Sequence, residues 1–382
     1  MRTKYRVLQT IICFFLLISI VFAFSACNGK DNKDETLVLK DISIEHETKF
    51  GGVYIKITID DFNAAGFAFG DSLNITFSNG FELKDLPYYN GFYVDMGEPL
   101  LVGYPGYPYI RTGYNNGEDM YVKAGLTESD TATIKLENRA KYLDVQESLD
   151  IHYSDVQGDR SDEVFANFRA VNVGNLKQNI LYRSASPSDN QHKRAAVADR
   201  LASAAQIGFI INLSDDDEEL AGHIDADDFN SPYFLSLYNQ NKVIALSMSM
   251  AFKGEDFSEK LVRGLTAASK ENGPFLVHCV EGKDRTGFVC VVMEALAGAT
   301  YEEMIDDYMI TYDNYYGINK TTEPTKYRII KEKYVDVMLE YVSSFGNAEK
   351  ETANYAVCAR NYLVSIGMAE ADINALVSRL VK

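Results

Sequence analysis

Apolar and polar positions along the chain follow two different periods. Between residues 37 and 153 they alternate in twos, as in Val53-Tyr54-Ile55-Lys56-Ile57-Thr58-Ile59, Leu73-Asn74-Ile75-Thr76-Phe77 and Thr131-Ala132-Thr133-Ile134-Lys135-Leu136. Alternation of this kind turns one face of each strand to a core and the other to water. Turn residues, Ser78-Asn79-Gly80 and Asn115-Asn116-Gly117, separate the runs. The first half is therefore predicted to be an all-β domain over 37–153, a barrel or a sandwich. Its Tyr-, Gly- and Pro-rich stretch, 104–114, reads equally as an aromatic binding surface or as loops over a barrel end.

A polar linker, 154–163, precedes a change of pattern. Strands are predicted at 180–182, 207–213, 243–246 and 275–278, alternating with helices at 193–206, 257–270 and 286–296. Mostly helical sequence follows to Lys382. Strands that alternate with helices of this length imply an α/β domain over 164–382, a mainly parallel sheet flanked by helices, with a helical C-terminal extension.

The N-terminal residues carry a different signal. Arg2, Lys4 and Arg6 precede an apolar stretch at 7–24, which ends in Phe24-Ser25-Ala26-Cys27. This resembles a bacterial lipoprotein signal, which implies cleavage after residue 26, a lipid on Cys27, a tether over 27–36 and a body on the extracytoplasmic face of the cell membrane. The other reading is a plain signal anchor that stays in the bilayer.

Composition narrows the partners. The 382 residues carry 37 Lys plus Arg against 55 Asp plus Glu, a formal charge of −18. Such a chain is not drawn to nucleic acid or anionic lipid by general attraction, so any anionic ligand needs a local pocket. Beyond Cys13 and Cys27 the cysteines are Cys279, Cys290 and Cys358. Their number is odd and their spacing wide, which fits neither a disulfide framework nor a metal site and leaves at least one thiol free. The acidic run Asp215-Asp216-Asp217-Glu218-Glu219 lacks a calcium-loop spacing and reads as a solvated loop.

Chemistry concentrates in one segment, Phe275-Leu276-Val277-His278-Cys279-Val280-Glu281-Gly282-Lys283-Asp284-Arg285-Thr286-Gly287. An apolar strand enters a short loop, the loop holds a Cys and an Arg with five residues between them, and an apolar helix follows. Successive amides of such a loop, with the positive end of the helix, form an anion site. Gly282 allows the backbone to curl, and the planar fork of Arg285 suits two phosphate oxygens. The same field favours the thiolate of Cys279, the nucleophilic form. A thiolate under a phosphate can attack phosphorus and form a thiophosphoryl intermediate. Thr286 is placed to donate to the sulfur, and His278 to order the loop.

Residues 278–287 resemble the signature loop of the protein tyrosine phosphatase superfamily, in the variant of secreted bacterial tyrosine and phosphoinositide phosphatases that has Lys and Asp before the Arg. Asn167-Phe168-Arg169, Leu181-Tyr182-Arg183-Ser184 and Ile210-Ile211-Asn212-Leu213 resemble the start and next strand of that domain. The resemblance implies Cys279 as nucleophile, Arg285 as phosphate ligand and Asp284 as general acid. It also implies a phosphate cradle of Val280, Glu281, Gly282, Lys283, Thr286 and Gly287. The superfamily's more usual acid loop corresponds to 247–254, which holds no carboxylate, so Asp256 at its edge is the reserve acid and an ion pair with Arg285 the other use for Asp284. Implied substrates are phosphotyrosine, phosphoprotein or phosphoinositide monoesters. Lys283 extends the range toward inositol polyphosphates, and a phosphate-binding pseudophosphatase is the non-catalytic alternative. The chemistry calls for no cofactor and no metal.

Overall fold

The structure, a computed structural model, describes residues 37–382; the basic and apolar N-terminal stretch and Cys27 lie outside the described residues. Seven strands form the first half: β1 (Val38–Glu47), β2 (Gly52–Ile55), β3 (Ser72–Phe77), β4 (Glu82–Tyr89), β5 (Pro99–Val102), β6 (Ile110–Tyr114) and β7 (Thr131–Asn138). They close into a barrel in the order β1-β2-β6-β5-β4-β3-β7. A ring with an odd number of strands must contain a parallel pair. Here it is β4 with β5, Tyr88 facing Leu101. Alternate residues such as Leu73, Ile75 and Phe77 of β3 and Ala132 and Ile134 of β7 fill the interior.

One predicted strand is cut short. The alternation from Val53 ends at Ile55, because Thr58 caps a helix, Ile59–Ala64, by accepting from the Asp61 amide at 3.1 Å. Capping chemistry overrides periodicity there. A second feature lies beyond any pattern: Arg111 and Glu47 form a buried ion pair at 3.0 Å inside the β-rich half.

The second half holds a five-stranded sheet of β8 (Arg169–Val171), β9 (Leu181–Ser184), β10 (Phe209–Asn212), β11 (Val243–Ala245) and β12 (Phe275–His278), in the order β11-β10-β12-β9-β8. The pairs β11–β10, β10–β12 and β12–β9 are parallel and β9–β8 is antiparallel. Both faces are covered. From β12, Phe275 and Val277 enter one core and Leu276 the other, which is why its sequence is a continuous apolar run.

The helix after β12, Asp284–Leu296, is buried at every position from Thr286 onward and runs through the larger core. This explains its lack of an amphipathic period. Phe288 sits fully buried among Phe252, Phe257 and Tyr362, with ring centroids at 4.7, 5.2 and 6.1 Å. The barrel and the sheet belong to one compact unit spanning Leu37–Lys382. Asp95 of the β-rich half pairs with Lys333 at 2.6 Å. The linker 154–163 is held in place as well: Ser154 O accepts from Arg194 at 3.1 Å and Asp155 from the same guanidinium at 2.9 Å. The acidic run begins as a helix cap, with Asp216 and Glu219 forming a capping box at the start of Asp217–Ile224. Among the described residues no helix is long and apolar enough to cross a membrane.

Phe288→Ala is expected to lower unfolding stability by about 3–5 kcal/mol. Chemical denaturation with an unchanged slope checks this, and a loss under about 1 kcal/mol would show that the ring is not packed as described.

Candidate active site

Strand β12 delivers Cys279 to the carboxyl end of the sheet, between the parallel neighbours β10 and β9. The loop 279–283 then runs directly into the helix Asp284–Leu296. That helix begins two residues before its predicted start, so Asp284 and Arg285 are its first-turn residues. The loop curls at Gly282, with φ +68°, against the sheet. A Cβ there would stand 2.1 Å from the carbonyl oxygen of Ser184.

What fixes the loop is how its carbonyls are held. Val280 O accepts from the Ser186 amide at 3.0 Å, and Glu281 O from the Tyr315 hydroxyl at 2.6 Å. Gly282 O accepts from Arg183 at 3.1 Å and Asn167 at 3.2 Å, and Lys283 O from Arg183 at 3.2 Å. In a planar trans peptide the following N–H points opposite its carbonyl. The amides of Glu281, Gly282, Lys283 and Asp284 therefore face away from these outer donors. None of them donates to another group among the described residues. Together with the helix start they make a ready anion cradle.

Arg183 is itself positioned by charge. Its guanidinium meets Asp307 at 2.6 Å, and Arg169 meets the other oxygen of Asp307 at 2.9 Å. Burial works against the Asp307 carboxylate, but the two guanidinium groups outweigh it and hold the carboxyl down at about 2. Glu294, buried nearby with neither oxygen hydrogen-bonded, is pushed well up by burial and by Asp307.

A cavity of about 390 Å³ opens at the loop, lined by Cys279, Val280, Glu281, Asp284 and Arg285 together with Gln191, His192, Met248, Ser249 and Met250. Cys279 forms its floor, 3% exposed. Arg285 lines it, steadied by a 3.2 Å bond to the carbonyl of Met248. Asp284 lines it too, accepting from the Tyr308 hydroxyl at 3.2 Å, with Lys283 at 3.7 Å. The structure gives Asp284 no ion pair with Arg285. Asp256, the reserve acid, is mostly exposed on Lys260 at 3.0 Å and does not line the cavity.

Three expected roles change. Lys283 does not line the cavity: its ammonium lies between Glu281 at 3.2 Å and Asp284 at 3.7 Å, near the rings of Tyr312 and Tyr316. Although burial opposes its charge, the carboxylates of Asp284 and Glu281 push its pKa well above the ordinary range. Thr286 Oγ is buried without a hydrogen bond, so no donation to the Cys279 sulfur is present. Gly287 acts by packing. A Cβ there would stand 2.4 Å from the Tyr308 ring, whose hydroxyl reaches Asp284. His278 is fully buried, with Nδ1 3.4 Å from Cys279 O, and burial pushes it down to about 3, so it is neutral.

Residues absent from the motif complete the site. Tyr153, from the segment joining the two halves, donates to Glu281 and stacks on Tyr315 at 4.8 Å. Asp307, Tyr308 and Tyr315 come from the helix Tyr301–Tyr316, whose aromatic residues read as ordinary core. One signal was available: a carboxylate among buried aromatics requires a cationic partner.

A cysteine beside unpaired loop amides and an arginine is the arrangement of a tyrosine-phosphatase-like hydrolase of phosphoric monoesters. A family model described as the tyrosine phosphatase family matches residues 165–382, more than half of the sequence, and the chain belongs to that family. The search of curated proteins found no match. Among solved structures, the chain is similar to the core catalytic domain of the PP-IP phosphatase SIW14 from S. cerevisiae in complex with citrate. That likeness has 21% identity over 47% of this chain and 93% of that one, with a TM-score of 0.27. A second structure of the Siw14 catalytic core matches at 19% identity over 48% and 92%, with a TM-score of 0.26.

Gly282→Ala is expected to reduce turnover about 100-fold or more, since a Cβ against Ser184 O must displace the loop by an ångström or so. Steady-state kinetics on a protein checked for unchanged circular dichroism tests it. Near-normal turnover would show that the loop tolerates the shift.

Proposed function

We propose that this protein removes a single phosphate from phosphotyrosine or another phosphoprotein monoester through a cysteinyl-phosphate intermediate. The observation that carries the substrate class is the charge around the cavity. Glu281, Asp284 and Arg285 line the cavity, whereas the Lys283 ammonium is turned to Glu281 and Asp284. A second phosphate would find Lys283 already paired with Glu281 and Asp284, while one phosphate fits the amide cradle and Arg285. The apolar walls of Met248 and Met250 suit an aromatic or aliphatic leaving group.

In the first step the Cys279 sulfur attacks phosphorus and the ester P–O bond breaks, while Arg285 and the loop amides hold the equatorial oxygens. Asp284 gives a proton to the leaving oxygen. In the second, water attacks phosphorus, Asp284 accepts its proton, and the S–P bond breaks to release phosphate. Tyr308 orients the Asp284 carboxyl from behind.

Cys279→Ser is expected to abolish turnover while inorganic phosphate still binds, measured by calorimetry; retained turnover overturns the mechanism. Asp284→Asn should slow an alkyl or tyrosyl phosphate by about 100-fold or more and an activated aryl phosphate much less. Equal slowing of both, or a leaving-group effect confined to Asp256→Asn, places the acid elsewhere. Rates on phosphopeptides, phosphoinositides and inositol phosphates test the substrate class, and faster hydrolysis of the polyphosphates would refute it.

The reading includes export. The basic Arg2, Lys4 and Arg6, the apolar stretch 7–24 and Ser25-Ala26-Cys27 support a lipid anchor at Cys27 on the extracytoplasmic face of the membrane. In a bacterial host the full chain is expected to partition with membranes, and Cys27→Ala to lose lipid labelling. Soluble, unlabelled wild-type protein would rule the anchor out.

A further inference from the structure

We propose that the β-rich half carries a binding groove for a neutral polysaccharide, formed by the helix Ile59–Ala64 and the loop 103–109 that joins β5 to β6. The inference concerns the barrel and is independent of the phosphatase reading. A cavity of about 440 Å³ opens there, with Asp60, Asn63, Phe69, Pro105, Tyr107 and Pro108 among its lining residues.

Two of its polar groups are unspent. Asp60 and Asn63 stand three residues apart on the helix, hence on one face. The Thr58 hydroxyl goes to Asp61 at 2.7 Å, and the exposed Asp60 carboxylate has no partner among the described residues. The buried Tyr88 hydroxyl donates to Asn63 Oδ1 at 2.9 Å, which fixes the amide and leaves Nδ2 without an acceptor among those residues. Asn90 lines the cavity too, but its amide is spent on Gln146 and Asp150. Gly103 lets the loop close on this face: a Cβ there would stand 2.9 Å from the Tyr88 hydroxyl and 3.0 Å from the Phe69 ring.

Aromatic rings continue the groove. Phe92, Tyr104, Tyr107, Tyr54 and Tyr109 follow one another with neighbouring centroids 5.7, 5.3, 5.9 and 6.3 Å apart. Tyr104 is 43% exposed and the other four are half-buried. None of the four tyrosine hydroxyls has a hydrogen-bond partner among the described residues. Such rings offer apolar surface and an open hydroxyl side by side. Five in succession present more surface than one sugar ring covers, which favours a polymer.

The chemistry of the groove selects the ligand. Its lining holds one charged side chain, the Asp60 carboxylate, on a chain of formal charge −18, so an anionic polymer is disfavoured. A peptide added as a strand has no place to pair, because the barrel is closed and β5 and β6 each have two neighbours. A cation would suit Asp60 and the rings but finds no use for Asn63 Nδ2, which only donates. A neutral sugar uses every group: its hydroxyls donate to Asp60 and accept from Asn63, and its C–H surface lies on the rings.

The test is affinity electrophoresis of the full chain in non-denaturing gels containing a neutral glucan, mannan or xylan, with polygalacturonate as the acidic contrast and a trilysine peptide, followed by calorimetry, as the cationic one. At least one neutral polymer is expected to retard the wild type. Tyr107→Ala is expected to weaken that binding about tenfold and Tyr107→Phe much less, since the stacking surface stays. Asp60→Ala and Asn63→Asp are expected to weaken it roughly three- to tenfold each, the second keeping the Tyr88 bond while replacing the donor. Circular dichroism checks each variant's fold, and if Tyr107→Ala is unfolded, Asp60→Ala at its exposed position decides. Unchanged retardation in folded Tyr107→Ala or in Asp60→Ala, or retardation by polygalacturonate alone, overturns the proposal. So does no retardation by any neutral polymer, and trilysine binding that is lost in Asp60→Ala would then make the groove a cation site. Failure of the phosphatase mechanism would appear separately, as turnover surviving in Cys279→Ser.

Discussion

The buried contact between Arg183 and Asp307 is the constraint on which the site depends. A loop that is to bind an anion through its amides must turn its carbonyls outward, and outward here means into protein, where each needs a donor. Arg183 supplies two of those donors in one rigid group, to Gly282 and Lys283. A guanidinium in that position is tolerable only because Asp307 neutralises it, and Asp307 because Arg169 shares it. Removing Asp307 would leave two buried guanidinium groups without their counter-ion, which is the costly case.

The same logic places the surrounding elements. Asn167 takes part of the Gly282 carbonyl while accepting from Arg169, so the residues entering β8 belong to the loop's outer frame. Tyr315 and Tyr153 meet at the Glu281 end, one holding its carbonyl and the other its side chain. Tyr153 lies at the exit of the β-rich half. The segment joining the two halves is thus tied to the Cys279 loop through Tyr153. Charge near the cavity is handled differently: Lys283 is spent on two carboxylates, leaving Arg285 to face the cavity.

The sequence alone determined the local features. Alternation in twos specified the β-rich half, and continuous apolar runs flanked by helical periods specified the sheet, because burial on one face or both is written directly into residue type. The Cys-to-Arg spacing between a strand and a helix located the cradle, since backbone conformation at Gly282 and a helix start are properties of adjacent residues. Tertiary structure decided the rest. Tyr308 and Tyr315 reach Asp284 and Glu281 from another helix, while Asp307 reaches Arg183 and Tyr153 reaches Glu281 across more than a hundred residues, and no period or spacing records such contacts. The fate of Lys283 was also decided there, because a cation's use depends on which carboxylates stand within a few ångströms. Short-range conformation is legible in the chain, whereas the pairing of distant charges exists only once the packing has brought them together.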